Sequence, residues 1–322
     1  MRILKFILLG GCLFLLSCQK ESKTANEIEA IKVDVAVKRF DLDFATTTEA
    51  TLANTKSEYP YLFPAHFPDS VWIAQLRDTL QVQLNQAVRE EFEDFSSIEN
   101  DFENLFKHLQ YYTPQLTIPK VVTVTSYVDY RKKIIYADTL LLISLDTYLG
   151  ENHNFYEGIQ QYIRKNLTKD QILPDAVVAM SAELLPPMTS RSFLSQIIRQ
   201  GKKLYLMDKV IPWVEDSTKI GYTQKEYEWA RANESEIWRY FVDRKLLFST
   251  DQKLRARFVD PAPFSKFYLE LDTESPGRVG AYMGWQIVRA FMENNDVSLQ
   301  QMFIEPEETL FTKSGFKPRK NG

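Results

Sequence analysis

The sequence predicts an α+β fold that is predominantly helical and contains a small sheet of about four strands. Apolar residues recur at helical spacing over most of the chain. β-branched residues are instead concentrated in short runs at 119–128, 133–137 and 140–145, which are typical of strands. No repeat or low-complexity block interrupts residues 31–310. We therefore expect residues 31–322 to form a single globular domain, although the length would also permit two.

The remaining elements follow from the same periods. Alternating Val33, Val35 and Val37 predict a first strand ahead of the three runs. Helical spacing predicts helices over 71–92, 98–112, 174–185, 193–205 and 227–248. Four pairs have the spacing of capping boxes, namely Thr46 with Glu49, Ser96 with Glu99, Thr168 with Gln171 and Thr223 with Glu226.

The last long helix is expected to begin at 275–277, where serine, proline and glycine suit a helix start. Gly280 and Gly284 lie on one face of this helix and should allow a neighbouring backbone to approach closely. Residues 313–322 are basic and are expected to be frayed.

The first eighteen residues have the composition of a secretory signal. Two basic residues precede an apolar run that is too short for a permanent membrane-spanning helix. Leu15, Ser17 and Cys18 resemble a bacterial lipobox. The resemblance implies that residues 1–17 are removed and that Cys18 receives a diacylglycerol on its sulfur. The alternative is an ordinary signal peptide in which Cys18 happens to lie near the cleavage site.

The mature chain left by this processing is acidic and has no thiol besides the anchor. Removing residues 1–17 takes away two of the 39 basic residues, which leaves 37 against 43 acidic residues and a net charge near −6. This balance argues against nucleic acid and anionic lipid as electrostatic partners. Cys12 leaves with the signal, so the mature domain has no cysteine for a disulfide or a zinc thiolate. Residues 18–30 are polar and are expected to form the lipidated Cys18 and a flexible tether.

No arrangement of residues in the sequence predicts a catalytic, metal or cofactor site. The three histidines, His66, His108 and His153, are isolated and lack the spacing of zinc ligands. Neither a G-x-S-x-G elbow nor a phosphate-binding glycine loop is present. The acidic run at 90–94 is most simply a solvated helix end, and the basic run at 131–133 a charged turn.

Arg278 has an unusual position for a cation. It lies in the first turn of the last long helix, where the free amides and the helix dipole attract anions and disfavour positive charge. Two hypotheses follow from this position. Arg278 forms a salt bridge with an acidic residue, which is the hypothesis we favour, or it binds an anion.

Several stretches distributed along the chain form a recognisable pattern. They are the lipobox, RFD at 39–41, IRQGKKLY at 198–205 with Pro212, Glu234 with IW at 237–238, ESPGRVG at 274–280, Gly284, and QIV at 286–288. Together they resemble the gliding motility-associated lipoprotein family GldB of Bacteroidetes over nearly the full length. The resemblance implies an envelope lipoprotein that is required for gliding and acts alongside the motility and type IX secretion apparatus, without established enzymatic activity.

The layout also has a more distant likeness to a family of predicted zinc peptidases. In that family a helix carrying H-E-x-x-H follows a strand, and a second helix supplies a Glu-Gly pair to the zinc site. Here the first helix, at 174–185, contains no histidine, and Gln200 precedes Gly201 in the second. The likeness therefore implies a zincin-like fold whose metal site has been lost.

We therefore expect a lipid-anchored cell-envelope protein that acts in gliding motility without enzymatic activity. Its expected partners are the membrane, through the lipid on Cys18, and other gliding or type IX secretion proteins, with no cofactor, metal or nucleic acid. Gln19 after the cysteine favours the outer membrane, and we expect an anchor that faces the periplasm rather than export to the cell surface. The alternatives are a zincin-like hydrolase relic or peptide-binding protein acting on envelope proteins or peptidoglycan, and a carrier of a lipid or small ligand.

Overall fold

A computed structural model of the chain describes residues 23–137, 139–269 and 272–319. The sheet contains β1 (Val37–Lys38), β2 (Lys120–Val124), β3 (Ile134–Ala137) and β4 (Leu140–Ser144), in the spatial order β1-β2-β4-β3. Strands β1 and β4 run parallel to β2, whereas β3 is antiparallel to β4 at one edge. Helices make up most of the remaining described chain. The prediction of a predominantly helical α+β fold with about four strands is therefore confirmed.

In chain order, helices both precede and follow the strands β2 to β4. Before β2 they are α1 (23–29), α2 (Phe40–Thr46), α3 (Leu52–Glu58), α4 (Asp69–Leu76), α5 (Thr79–Glu91) and α6 (Ser96–Tyr112). After β4 they are α7 (Gln161–Arg164), α8 (Ile172–Leu184), α9 (Phe193–Val210), α10 (Asp216–Ile220), α11 (Gln224–Ala232), α12 (Glu234–Asp243), α13 (Lys253–Phe258), α14 (Val279–Asn294), α15 (Leu299–Ile304) and α16 (Glu307–Ser314). Among the described residues, no helix has both the length and the apolar character needed to cross a bilayer.

The close crossing of α9 and α14 lies at the centre of the molecule. Gly201 on α9 and Gly284 on α14 are in contact, and a β-carbon added to either would overlap the backbone of the other helix. A β-carbon on Gly280 would lie 2.8 Å from the Phe258 carbonyl oxygen. The predicted close approach at Gly280 and Gly284 is thus confirmed. Only glycine permits this distance between two helix backbones.

The sheet separates a large hydrophobic core from a smaller one. Val121 on β2 packs into the large core, which includes the buried faces of α6, α8, α9 and α14. Its neighbour Val122 packs with Phe44, Tyr59 and Phe63 in the smaller core. Successive strand residues point to opposite faces, so the two cores cover both sides of β2, as is usual for parallel strands.

Several predicted element boundaries are wrong. The range 71–92 contains two helices, α4 and α5, because Asp78 caps the second one by accepting a hydrogen bond from the Gln81 amide at 2.8 Å. The range 227–248 likewise contains the end of α11, all of α12 and a following loop. The first strand is restricted to Val37–Lys38, and the last long helix begins at Val279 rather than at 275–277.

Only one of the four predicted capping boxes is present. Thr223 and Glu226 exchange the expected side-chain-to-amide hydrogen bonds at the start of α11. Thr46 is instead the last residue of α2, Ser96 is the first residue of α6 rather than its cap, and Thr168 makes no capping hydrogen bond. The spacing of polar residues alone therefore does not define a helix start.

The tether and the tail are packed against the domain where the structure describes them. In α1, Ile28 is buried, and Glu27 accepts a hydrogen bond from the Tyr111 hydroxyl at 3.0 Å. At the other end, the Arg319 amide donates to the Glu234 carboxylate at 2.9 Å. These contacts join the described parts of both stretches to the domain, and the flexible tether and frayed tail stay predictions.

Candidate functional site

The three histidines do not come together in a site within the part of the chain that the structure describes. His66 is exposed, His108 is hydrogen-bonded within its own helix, and His153 starts a single short turn. Burial lowers the pKa of His108. No three His, Cys, Asp or Glu side chains of the described residues are grouped so that they could hold a metal ion. Cys18, the predicted lipidation site, lies outside the described residues.

The acidic and basic runs of the sequence make ion pairs with other elements. Glu91 in the acidic run pairs with Lys169 at 3.0 Å on the surface, which agrees with a solvated helix end. Lys133 in the basic run is more than part of a charged turn, because its ammonium group forms a largely buried ion pair with Asp175 on α8. Both runs therefore contribute to tertiary structure.

The two helices that carry the likeness to zinc peptidases are α8 and α9. The acidic residue near the end of α8, Glu183, accepts a hydrogen bond from the Tyr136 hydroxyl at 3.3 Å. Gly201, which follows Gln200 on α9, is required by the contact with α14. Helix packing thus explains the glycine of this motif without any metal site.

Residues 261–278 make up most of the long connection between α13 and α14, and two buried serines fix the base of this stretch, which we call the 261–278 connection. Ser265 Oγ donates to the Pro276 carbonyl oxygen at 2.7 Å, and Ser275 Oγ donates to the Asp272 carbonyl oxygen at 2.6 Å. Ser275 Oγ also accepts a hydrogen bond from the Ser265 amide at 3.2 Å. These bonds satisfy buried polar groups that have no partner in a helix or strand.

Tyr222 and Gly277 attach this connection to the helical core. The Tyr222 hydroxyl donates to the Gly277 carbonyl oxygen at 2.6 Å. Burial raises the pKa of Tyr222, which keeps the hydroxyl protonated and able to donate. A β-carbon on Gly277 would overlap the Ala262 carbonyl oxygen, so the two limbs of the connection touch through their backbones.

At the outer end of the connection, Asp272 holds an apolar loop in place. Its carboxylate accepts hydrogen bonds from the amides of Phe267, Tyr268 and Leu269 at 3.1, 2.8 and 3.2 Å. Tyr268 is 73% exposed and Leu269 is 58% exposed. Tyr268 has a φ of 63°, and a left-handed residue other than glycine costs about 1–2 kcal/mol. The hydrogen bonds to Asp272 offset this cost.

The 261–278 connection forms one wall of an apolar groove, and α12 forms the other. The groove has a volume of about 420 Å³, and we name it the Trp229 groove. A second cavity of about 440 Å³ adjoins it and shares Trp229 and Ser275. The apolar side chains that line the Trp229 groove are Trp229, Ile237, Tyr240, Phe267 and Leu269.

Charged residues of both signs surround the Trp229 groove. Glu236 and Arg239 form an ion pair along α12, and Asp243 and Arg244 follow at its end. An apolar floor with a charged rim is the usual anatomy of a protein-binding surface. Tryptophan, tyrosine and arginine are also the residues that most often dominate binding energy at such surfaces.

A family model described as gliding motility protein GldB matches residues 21–318. The chain belongs to this family. Comparison of the chain with curated proteins and with solved structures gave no match. Membership confirms the resemblance predicted from the sequence and implies a role in gliding motility. The family's name also designates a lipoprotein, which indicates association with the cell envelope.

Some of the stretches that resemble the GldB family fall on the two regions described above. The stretch 198–205 and Gly284 lie at the crossing of α9 and α14. The stretch 274–280 closes the 261–278 connection and begins α14. These residues therefore contribute to the helix crossing and to one wall of the adjoining cavities.

Arg278 lies at the end of the same connection, and the salt bridge that we favoured for it is wrong. Throughout the described ranges, no carboxylate oxygen lies within the 4.0 Å of its guanidinium that defines an ion pair. Its Nη1 donates to the Ile220 carbonyl oxygen at 2.6 Å, and its Nε is buried without a partner. Burial lowers the pKa of Arg278. The other hypothesis, anion binding, stays a prediction.

Sequence reasoning missed most of the groove. Arg278 was the only residue of the 261–278 connection singled out for its chemistry, and Trp229 lay in a stretch assigned to a single helix. The length of the connection was the one signal in the sequence, since it is longer than most loops in compact domains. Such loops usually carry function or are disordered.

Proposed function

We propose that this GldB family member is a non-enzymatic, lipid-anchored envelope protein that supports gliding by binding a partner protein in the Trp229 groove. The lipid on Cys18 holds the domain at the outer membrane, facing the periplasm. The partner is a component of the gliding or type IX secretion machinery. The observation that carries this proposal is an apolar groove, with one wall joined by side-chain hydrogen bonds, in a member of a gliding motility family.

The non-enzymatic part of the proposal is supported by the residues at the peptidase-like positions. Helix α8 contains no histidine, and an amide side chain, Gln200, stands where the second helix would supply a carboxylate. Amides are poor ligands for zinc compared with histidine, cysteine or carboxylates. Gly201 is used in helix packing instead.

The groove suits an extended protein segment that inserts apolar side chains. Its walls are held by Asp272, Ser265 and Ser275 before any partner arrives, so little ordering entropy is lost on binding. The rim carries charges of both signs, which can orient a bound partner even if that partner has a small net charge. This agrees with the modest net charge of the whole chain.

The substitution Leu269→Asp tests the groove. It places a charge on an exposed part of the groove wall, so we expect it to abolish colony spreading while leaving the fold intact. Spreading on agar and the abundance of the protein on an immunoblot should be measured in the same strains. A photo-crosslinking residue at position 269 should also capture a protein of the gliding or secretion machinery.

Phe248→Asp is the matched control for this test. Phe248 is 64% exposed, close to the exposure of Leu269, but it does not line the Trp229 groove. A strain with this change should spread normally and give no crosslinked partner. Normal spreading of the Leu269→Asp strain at normal abundance would show that the groove is not the binding surface.

The anchor is tested separately with Cys18→Ala in the full chain. The variant should leave the membrane fraction and fail to support spreading, because a domain without lipid has no stable attachment. Protease added to intact wild-type cells should leave the domain uncut, and cleavage should follow once the outer membrane is permeabilised. A strain that glides with a soluble Cys18→Ala product would refute the need for an anchor.

A further inference from the structure

Helix α1 joins the domain to the proposed anchor, and its side chains attach it to the end of α6. Ile28 is buried, and the Tyr111 hydroxyl donates to the Glu27 carboxylate at 3.0 Å. The Lys107 ammonium group lies 3.5 Å from the Glu29 carboxylate. The chain therefore enters the domain at a defined place, on the α6 side.

The chain between the proposed anchor and α1 is short compared with the domain. Residues 19–22 separate Cys18 from α1, which begins at residue 23, and the five spacings from 18 to 23 span at most about 18 Å when fully extended. A compact domain of about 300 residues has a radius of gyration of about 19 Å, which corresponds to a diameter of about 50 Å. A lipid on Cys18 would therefore bring the α1 side of the domain to the bilayer and leave the opposite side far from it.

An exposed tryptophan lies on this same side of the molecule. Trp213, in the loop between α9 and α10, is 41% exposed, and its ring centroid is 5.3 Å from that of His108 on α6. His108 lies beside Lys107 and one turn before Tyr111, the two α6 residues that hold α1. We name the surface formed by α1, residues 107–111 and Trp213 the tether face. Tryptophan favours the membrane–water interface, because its ring is apolar and its N–H group is polar.

The charges of the tether face suit zwitterionic lipid headgroups better than anionic ones. Lys107 pairs with both Glu29 and Glu103, and Lys23 pairs with Glu27. These lysines are thus neutralised by neighbouring carboxylates. Attraction to anionic lipid requires a cluster of basic residues with excess positive charge. We therefore expect the contact of this face with lipid to depend on the anchor and on Trp213.

The Trp229 groove lies on the opposite side of α11 from Trp213. Trp213 borders a cavity of about 390 Å³ that is also lined by Tyr227 and Arg231 of α11. Trp229 lies between these two residues in the sequence, two positions from each, and lines the Trp229 groove instead. Two residues of an α-helix are separated by about half a turn. Helix α11 therefore separates the Trp213 side from the groove.

We propose that the tether face lies against the bilayer, with the Trp213 ring among zwitterionic lipid headgroups. This inference rests on the proposed lipid anchor at Cys18. In this orientation the Trp229 groove opens on the side of α11 that faces away from the membrane. Its partner then approaches from the aqueous phase, as a soluble domain or an extended segment does, and not from within the bilayer.

Quenching of tryptophan emission by lipids with a nitroxide on the headgroup tests the contact. The lipidated protein is purified from the membranes of its natural host and reconstituted into phosphatidylcholine vesicles that contain the labelled lipid. We expect part of the emission to be quenched, and Trp213→Phe should lose most of that quenching. Trp238→Phe is the matched control, because Trp238 packs against Phe311 and Phe316 and should leave the quenching unchanged.

A second measurement compares the two sides of the domain and remains decisive if Trp213→Phe fails to fold. Pro212 and Leu269 are both exposed, on the tether face and on the wall of the Trp229 groove respectively. A fluorophore attached to Pro212→Cys should be quenched by the labelled headgroups, whereas one on Leu269→Cys should not. Vesicle-bound protein with equal quenching at both positions, or with no quenching that depends on Trp213, would overturn this inference and leave the anchor intact. Wild-type protein that fails to sediment with the vesicles would overturn both.

Discussion

Two loops of this structure are held in the same way. In each, a single aspartate accepts hydrogen bonds from nearby backbone amides, and a tyrosine in the loop adopts a left-handed backbone conformation. Tyr127, with a φ of 56°, lies in the loop held by Asp146, and Tyr268, with a φ of 63°, lies in the loop held by Asp272. The two arrangements differ in where the aspartate lies.

Asp146 is inside the molecule, whereas Asp272 is near its surface. Asp146 is fully buried beyond the carboxyl end of β4, where it accepts the amides of Ser126 and Val128 at 2.9 and 2.7 Å. Burial raises the pKa of Asp146, and these hydrogen bonds oppose that shift. Asp272 is only partly buried, and its loop borders the Trp229 groove. The comparison suggests that the buried loop stabilises the fold and the exposed one presents a binding surface.

Removing the buried aspartate should have the largest effect. Asp146→Ala leaves two amides and the Ser126 hydroxyl without their acceptor, and we expect the free energy of unfolding to fall by about 3 kcal/mol. Asp146→Asn keeps one acceptor oxygen and should cost roughly half as much. Urea unfolding of the mature chain at neutral pH measures both changes.

Asp129→Ala provides the control for this measurement. Asp129 lies in the same loop and is partly exposed, and among the described residues its carboxylate accepts a single hydrogen bond, from the Arg131 amide at 3.3 Å. Its loss should change the free energy of unfolding by no more than about 0.5 kcal/mol, as for most surface substitutions. An Asp146→Ala cost as small as that of the control would mean that the buried loop does not stabilise the fold.

Removing the exposed aspartate should affect dynamics more than stability. In Asp272→Ala, water can replace the lost acceptor, so the free energy of unfolding should fall by only about 1 kcal/mol. Hydrogen exchange at the amides of Phe267, Tyr268 and Leu269 should become faster, while the 126–128 amides should exchange as in the wild type. Unchanged exchange at 267–269 would show that Asp272 does not hold the groove wall.

Sequence patterns predicted the parts of the molecule that depend on local residues. The β-branched runs gave β2, β3 and β4, and the spacing of Gly280 and Gly284 gave the close helix crossing. The Thr223 capping box was also predictable, because its partner lies three residues away. In these cases the residues that decide the structure are neighbours in the chain or on one helix face.

The candidate site depends on contacts between distant parts of the chain. Tyr240 donates to the carbonyl of Phe267, 27 residues later, and Tyr222 donates to the carbonyl of Gly277, 55 residues later. No periodic pattern connects such residues. Arg278 shows the same limit. Its helix position predicted an anion or an acid, and only the tertiary structure showed that no carboxylate among the described residues lies within ion-pair distance of its guanidinium.

The smallest expected effect compares the two left-handed tyrosines directly. Asparagine tolerates this conformation better than tyrosine, so Tyr127→Asn should raise the free energy of unfolding by about 0.5 kcal/mol. At Tyr268 the substitution also relieves backbone strain, but it removes a cation–π contact. The Arg257 guanidinium lies 4.4 Å from the Tyr268 ring centroid, and such a contact at an exposed site is worth about 0.5–1 kcal/mol. Tyr268→Asn should therefore leave stability unchanged or slightly lower, and Arg257→Gln should remove the difference between the two positions. Thermal and urea unfolding of the three variants measure this. A gain at Tyr268 equal to that at Tyr127 would mean that the arginine contact does not hold the exposed tyrosine, and that Asp272 alone fixes the loop beside the groove.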